Sequence, residues 1–389
     1  MKIVLINANM EHKRGLTSAL MYKLNSNPIL VLQQLAAATP EGHEVTLIDD
    51  RYDSPFLDDP IDLVGISTLT PSANRAYEIA EYYHNKGIPV VLGGVHPSAL
   101  PEEAKSHADS VVIGEAEHSW PLLIKDLQKN TLQPYYKSSS YLAAEAIPLP
   151  DREKLRIRPL FSPVATSRGC PYYCSFCTLT HMHGKQYRCR PVEHIVNEIK
   201  HTPRKFLVFL HDASLTINPD YATSLFKAMI PLKRKFIAYG SAPMLSQHDS
   251  LLELSKQAGC VIWCIGFESI RQDSLENDAQ KKYAVNEYEN VVKQIHNHDI
   301  NVFGSFVLGF DHDTLDSFDH TLQAAFDYNI DAAEFNVLTP FPITRLYRQL
   351  DKQDRILTKD WSLYDLQHAV FQPQQMSPEE LQNLSLIHI

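Results

Sequence analysis

Along the first 130 residues, apolar positions gather into short, almost unbroken runs, separated by longer stretches with helical spacing. The runs fall at residues 3–7, 45–49, 63–67, 90–93 and 110–114. They are continuous rather than alternating, as in strands buried on both faces of a parallel sheet. Helices are expected between them, at 28–38, 72–86, 102–107 and 119–129. This order predicts an α/β fold with a doubly wound, Rossmann-like parallel sheet. Open sheets of this kind bind ligands outside the carboxyl ends of their strands. The residues standing there are Asn7, Ser67-Thr68, Gly93-Gly94 and Gly114-Glu115.

The rhythm breaks over 131–160, where Tyr135-Tyr136-Lys137-Ser138-Ser139-Ser140 and Ile147-Pro148-Leu149-Pro150 read as a connection between domains. It then resumes. Strands are expected at 163–167, 206–211, 236–239, 261–266, 302–308 and 333–338, and helices at 192–200, 221–230, 250–258, 285–298, 315–328 and 344–353. Six β/α units fall short of the eight of a closed barrel and predict an open, partial (β/α)6 barrel of TIM type. The organisation expected is a first domain over 1–135, a linker over 136–160, a second domain over 161–350 and a C-terminal extension over 351–389. Pro378-Glu379-Glu380 opens a helix in that extension. The closing Leu384-Ser385-Leu386-Ile387-His388-Ile389 reads as a chain cut short, its last residues not native. No internal repeat or low-complexity block is present.

A chain of 389 residues suits two domains, and 44% hydrophobic with 21% charged residues suits a soluble globular protein. The net charge of −10 argues against nucleic acid as a partner, because a phosphate backbone calls for a basic surface. No stretch approaches the roughly 20 apolar residues of a membrane span. Met1-Lys2-Ile3-Val4-Leu5-Ile6-Asn7 reads as a first strand, not a signal peptide, so a cytoplasmic location is expected.

All six cysteines lie beyond residue 169, and three of them crowd into eight positions. A disulfide framework would spread them out, so the clustering points to metal in a reducing compartment. The segment is Thr166-Ser167-Arg168-Gly169-Cys170-Pro171-Tyr172-Tyr173-Cys174-Ser175-Phe176-Cys177. Three thiolates spaced C-x3-C-x2-C can wrap one cubic iron–sulfur cluster from a single loop. They leave one iron open where a four-cysteine site would close it. An open iron can chelate the amino and carboxylate groups of a methionine moiety. Three other readings compete: inert buried thiols, a zinc site completed by His181 or His183, and an electron-transfer cluster using Cys189 as a fourth ligand.

A C-x3-C-x2-C loop after the first strand of a β/α barrel resembles the radical S-adenosylmethionine superfamily. The likeness implies a 4Fe-4S cluster on Cys170, Cys174 and Cys177 and S-adenosylmethionine on its open iron. It continues through His211-Asp212-Ala213-Ser214, where the family places polar contacts to the cofactor's amino group. Gly266-Phe267-Glu268-Ser269 resembles its Gly-x-Glu-Ser contact to ribose or carboxylate, making Glu268 and Ser269 candidates. Gly304-Ser305-Phe306-Val307-Leu308-Gly309-Phe310 resembles the glycine-bearing fifth strand near the adenine, so Gly309 is a candidate. Phe176 stands where an aromatic usually lies beside the adenine. Asp311 and Asp313 stand near a common glutamate position. Ile343-Thr344-Arg345-Leu346-Tyr347 departs from the Gly-Thr-Pro-Leu-Tyr of many relatives. Arg188 and Arg190 are expected in exposed ion pairs, while Cys260 and Cys264 are expected only to pack.

The strand-end set of the first domain resembles the cobalamin-binding domain fused to one branch of the superfamily, that of hopanoid methylases and a bacteriochlorophyll ring cyclase. Ser67 and Thr68 could bond phosphate or amide groups. Gly93, Gly94, Gly114 and the neighbouring Glu115 would let backbone approach the corrin. The axial-histidine signature Asp-x-His-x-x-Gly appears as Met10-Glu11-His12-Lys13-Arg14-Gly15, without its aspartate, so His12 is read as a loop residue. The resemblance implies a cobalamin-dependent methyltransferase acting on an unactivated carbon of a small-molecule or lipid substrate. It would be fed electrons by a donor such as flavodoxin or ferredoxin. The alternatives are a cobalamin-free radical cyclase, coupling or rearrangement enzyme, and a non-catalytic iron–sulfur or zinc module.

Overall fold

The computed structural model describes residues 1–9, 30–154, 161–202, 207–281 and 284–386. Met10, His12 and Gly15 lie outside the described residues. The chain divides into two compact units. The first takes in Met1–Leu160 with His181–His183 and Asp360–Ser362; the second takes in Phe161–Thr180, Gly184–Lys359 and Leu363–Ile389.

The first unit is one parallel sheet of β1 (Lys2–Asn7), β2 (Glu44–Asp49), β3 (Leu63–Ser67), β4 (Val90–Gly93), β5 (Ser110–Ile113) and β6 (Tyr135–Lys137). The spatial order is β2-β1-β3-β4-β5-β6. Both faces are covered, which explains why β1 reads as an unbroken apolar run. Val4 and Ile6 enter one core with Ile79 and Tyr83 from helix Ala73–His84. Ile3 and Leu5 enter the opposite core with Trp120 and Leu123 from helix Ser119–Gln128. Each such buried aliphatic side chain contributes about 2 kcal/mol. The strand order reverses between β1 and β3, where Asn7 and Ser67 stand side by side. That crevice is where a sheet of this order receives its ligand. The sixth strand falls where the sequence reads a connection. Three residues are too few to show a period, yet Tyr136 is buried and its hydroxyl donates to Asp126 at 2.9 Å.

The second unit carries β7 (Phe161–Ala165), a two-stranded antiparallel hairpin of β8 (Ser167–Arg168) and β9 (Arg188–Cys189), then β10 (Leu207–His211), β11 (Phe236–Gly240), β12 (Cys260–Glu268), β13 (Asn301–Leu308) and β14 (Ala332–Val337). Its main sheet is parallel throughout, in the order β14-β13-β12-β11-β10-β7. This is the open six-stranded barrel expected. Successive residues point to opposite faces. Val208, Leu210, Trp263 and Ile265 pack with helix residues such as Leu225 and Leu252. Phe209, Ile237 and Cys264 pack on the other face against strand residues alone, Phe161, Tyr239 and Phe303 among them. A face whose strands pack on one another marks a sheet curled inwards. Among the described residues no helix is long and apolar enough to cross a membrane.

Candidate active site

The cysteine loop leaves β8 through Gly169, at φ +85°. A Cβ there would lie 2.0 Å from the Gln186 carbonyl oxygen, so only glycine fits. The Cys170 amide donates to the Gly184 carbonyl at 3.1 Å, and the Thr180 hydroxyl donates to the Tyr172 carbonyl at 2.8 Å. Ser175 is stitched on two sides: its hydroxyl donates to the Asp278 carbonyl, and its own carbonyl accepts from the Leu346 amide. Arg345, at the departure from the family pattern, reaches back to this loop. Its Nη2 donates to the Tyr173 carbonyl and to Gln280, and its guanidinium lies 4.0 Å from the centre of the Tyr173 ring. Lys185 lies 4.4 Å from the same ring.

Burial pushes all three thiols up, Cys177 to about 11, while Lys281 opposes the shift at each one. The thiols also feel one another's charge, so the loop gathers them at one place. Among the described residues no group of three or more His, Cys, Asp or Glu is placed to hold a single metal ion. Three thiols on one loop are the donor type that a polynuclear iron–sulfur cluster takes.

Asp212 follows β10 and is saturated by its own chain. Its Oδ2 accepts from Thr166 Oγ1 at 2.5 Å, Ser167 Oγ at 2.8 Å and the Tyr187 hydroxyl at 2.8 Å. Its Oδ1 accepts from the Ser214 amide at 3.0 Å. The carboxylate thus ties β7, β8 and the stretch before β9 around the cysteine loop. Glu268 closes β12 beside a register shift, at φ +62°, and is ion-paired with Lys281. A non-glycine residue there costs about 1–2 kcal/mol. Lys281 was not singled out from the sequence; its closeness to both Glu268 and the cysteines appears only in three dimensions. Ser269 is buried, and its hydroxyl accepts from the Arg271 amide at 3.0 Å.

Phe176 is partly buried beside Phe310, ring centres 6.0 Å apart. Gly309, at φ +103°, has its Cβ position filled by Leu381, 2.8 Å away. The Gly309 and Phe310 amides donate to Asp313 Oδ2 at 2.9 and 3.0 Å, and the Ser274 hydroxyl donates to Oδ1 at 2.9 Å. Burial pushes this carboxyl up to about 6. Asp311 pairs instead with Arg355 at 2.5 Å. Arg190 departs from the exposed ion pair expected of it. It is buried, not exposed, and bonds Glu198 at 2.8 Å and the Ala165 carbonyl at 2.6 Å. Cys260 and Cys264 are both buried.

In the first unit, Ser67 ends β3 at the switch point and Thr68 follows it. Thr68 is turned inward, its hydroxyl donating to the Leu69 carbonyl at 2.9 Å and lying 2.8 Å from the Ser72 hydroxyl. Gly93 has only Val112 near its Cβ position, at 3.8 Å. Gly94, at φ +108°, packs on the Thr68 backbone, 2.5 Å from its carbonyl oxygen. Gly114, at φ +82°, has nothing within 4 Å of its Cβ position and leaves strand-end backbone open to a flat ligand such as a corrin. Glu115 is buried and accepts from the Leu142 amide at 2.8 Å, with His183 Nδ1 2.9 Å away.

Comparison with known proteins agrees with both halves of this description. Residues 164–325 match the radical SAM superfamily model, and residues 27–124 match the B12 binding domain model. The bacteriochlorophyllide d C-12(1)-methyltransferase of Chlorobaculum tepidum is 31% identical over 365 residues, covering 90% of this chain and 79% of that protein. The C-8(2)-methyltransferase of the same organism is also 31% identical, covering 91% of this chain and 83% of that one. The fold matches that of the radical S-adenosylmethionine methyltransferase TsrM from Kitasatospora setae, solved with cobalamin and a 4Fe-4S cluster. The TM-score is 0.70 at 17% identity, covering 90% of this chain and 78% of that one. With both cofactor-binding parts matched and the likeness running through nine-tenths of its length, the chain belongs to the cobalamin-binding radical S-adenosylmethionine enzymes, a methyltransferase-like family whose cofactors are a 4Fe-4S cluster, S-adenosylmethionine and cobalamin.

Proposed function

We propose that this enzyme methylates an unactivated carbon of a tetrapyrrole of the bacteriochlorophyllide type. The observation that carries the substrate class is the 31% identity to two bacteriochlorophyllide d methyltransferases across nine-tenths of the chain. Together the cofactors supply a carbon radical for hydrogen abstraction and a transferable methyl group. Cys170, Cys174 and Cys177 hold the cluster, and Phe176 flanks the cofactor pocket beside it. Asp212 keeps the cysteine loop in shape through its four donors. Glu268 and Lys281 form a charged pair at the rim, suited to the amino and carboxylate groups of S-adenosylmethionine. Ser269 and Gly309 shape the strand ends next to them. Ser67, Gly93 and Gly114 offer the open strand-end surface to cobalamin, while Thr68, Gly94 and Glu115 support it from behind. A flavodoxin or ferredoxin supplies the electrons, in the cytoplasm.

The test is an anaerobic incubation with bacteriochlorophyllide d, S-adenosylmethionine, cobalamin and a strong reductant. Mass spectrometry should find 5′-deoxyadenosine and a product one methylene heavier. Changing all three cysteines to Ala should abolish both products and the bound iron. Deoxyadenosine without any methylated tetrapyrrole would refute the substrate class, and a wild-type protein that takes up no iron would refute the reading altogether.

A further inference from the structure

The curled face of the second unit carries a pattern that neither the cysteine loop nor the strand-end contacts use. On it, Phe209 and Tyr239 lie 5.3 Å apart between ring centres, and Phe209 meets His211 edge-on at 5.8 Å. Ile237 and Cys264 complete this floor. The neighbouring wall is polar. Ser305 Oγ donates to Glu334 Oε1 at 2.8 Å, and Asn336 Nδ2 donates to Ser305 Oγ at 3.4 Å. Strand pairing sets the height of this wall. Ser305 lies level with Gly266 on one side and Glu334 on the other. Across the register shift that follows Gly266, Glu268 lies level with Phe306, so the polar wall sits one residue, roughly 3 Å, along β13 from Glu268.

We infer that this face is the substrate seat, and that it takes a flat, largely apolar molecule presenting a neutral hydroxyl or N–H donor to Glu334. The inference rests on the methyltransferase reading above. The aromatic floor accepts a ring face. Ser305, itself oriented by Asn336, fixes the Glu334 carboxylate, which then has lone pairs left for a ligand donor. The wall discriminates against anions. Glu334 is acidic, and Tyr239 and Cys264 are held neutral by burial and by Glu334 itself. A carboxylate of the substrate therefore points away from this wall, and a hydroxyl points toward it.

The test compares two chlorins on the full chain by fluorescence titration, one with a peripheral hydroxyl and one with a vinyl group in its place. A hydrogen bond to a charged acceptor should give the hydroxyl form about a tenfold preference. Glu334→Ala should reduce that preference to within about twofold, and Ser305→Ala should do the same more weakly. Tyr239→Leu should weaken both chlorins alike. Glu334 is exposed, so its variant keeps the fold even if Tyr239→Leu does not. A hydroxyl preference that survives Glu334→Ala overturns the seat. If neither chlorin binds the wild type, 2-naphthol against naphthalene separates the cases. Naphthol binding that depends on Glu334 keeps the seat and removes the tetrapyrrole reading, whereas no binding of either pair overturns the seat as well.

Discussion

Gly169→Ala should empty the cluster site without touching a cysteine. At φ +85° the left-handed backbone alone costs a Cβ-bearing residue about 1–2 kcal/mol. The added methyl would also sit 2.0 Å from the Gln186 carbonyl oxygen and 3.2 Å from that of Gly184. Both neighbours are backbone, so the turn that returns the loop to β9 must move. Overpacking of that kind adds about 1–3 kcal/mol. The total, about 2–5 kcal/mol, lowers the population of the native loop by roughly thirtyfold to a few thousandfold. The Cys170 amide bond to Gly184 goes with it. Gly87→Ala is the control: φ is also positive, at +70°, but nothing lies within 4 Å of its Cβ position. Iron and sulfide per chain after anaerobic reconstitution, with thermal unfolding alongside, make the assay. Gly169→Ala should lose most of its iron while Gly87→Ala keeps it. Wild-type iron content and melting temperature in Gly169→Ala would refute the steric argument.

Arg345→Ala should slow iron incorporation and speed cluster loss, because it removes the donor to the Tyr173 carbonyl and the cation over that ring; unchanged loss rates would refute this brace. In the first unit, Gly94→Ala should destabilise the sheet more than Gly114→Ala, since both carry the left-handed penalty of about 1–2 kcal/mol but only the former also meets backbone; Gly114→Trp should then weaken hydroxocobalamin binding in a folded protein, measured by spectral titration. Asp313 has a folded-state pKa raised from 3.8 to about 6, so its protonated form is favoured by folding. Its contribution is harmless below about pH 4, and the cost of ionising it grows to full size above about pH 6, reaching about 3 kcal/mol. Asp313→Asn can keep all three hydrogen bonds, with its amide donating to Ser274. The variant of the cluster-free protein should therefore gain stability relative to wild type as pH rises from 4 to 7, and a constant difference in denaturant midpoint over that range would refute the assignment.

What the sequence made legible is what local pattern can encode. β1 and β3 declared themselves because their inner residues are buried on both faces, so polar residues stand only at the strand ends. The cysteine loop declared itself because its three donors are neighbours in sequence. Tyr135–Lys137 did not, since three residues at a sheet edge carry no periodicity. Nor did the five-residue helix Val95–Ala99, whose Pro97 and preceding Gly94 read as turn residues.

The candidate site shows a different limit. Residue type and strand end single out Asp212, but neither says how many donors converge on it. Thr166 and Ser167 come from 46 and 45 residues earlier and Tyr187 from 25 residues earlier, so its saturation belongs to the tertiary structure. The same holds for Arg190, whose partner Glu198 lies eight residues ahead and buries with it. A buried ion pair of this kind is costly to break, because losing one partner strands the other charge away from water. Arg345 is the instructive case. Its position was visible only as a departure from a family pattern, and the structure gives that departure work: the guanidinium that replaces a proline braces the very loop on which the cysteines stand.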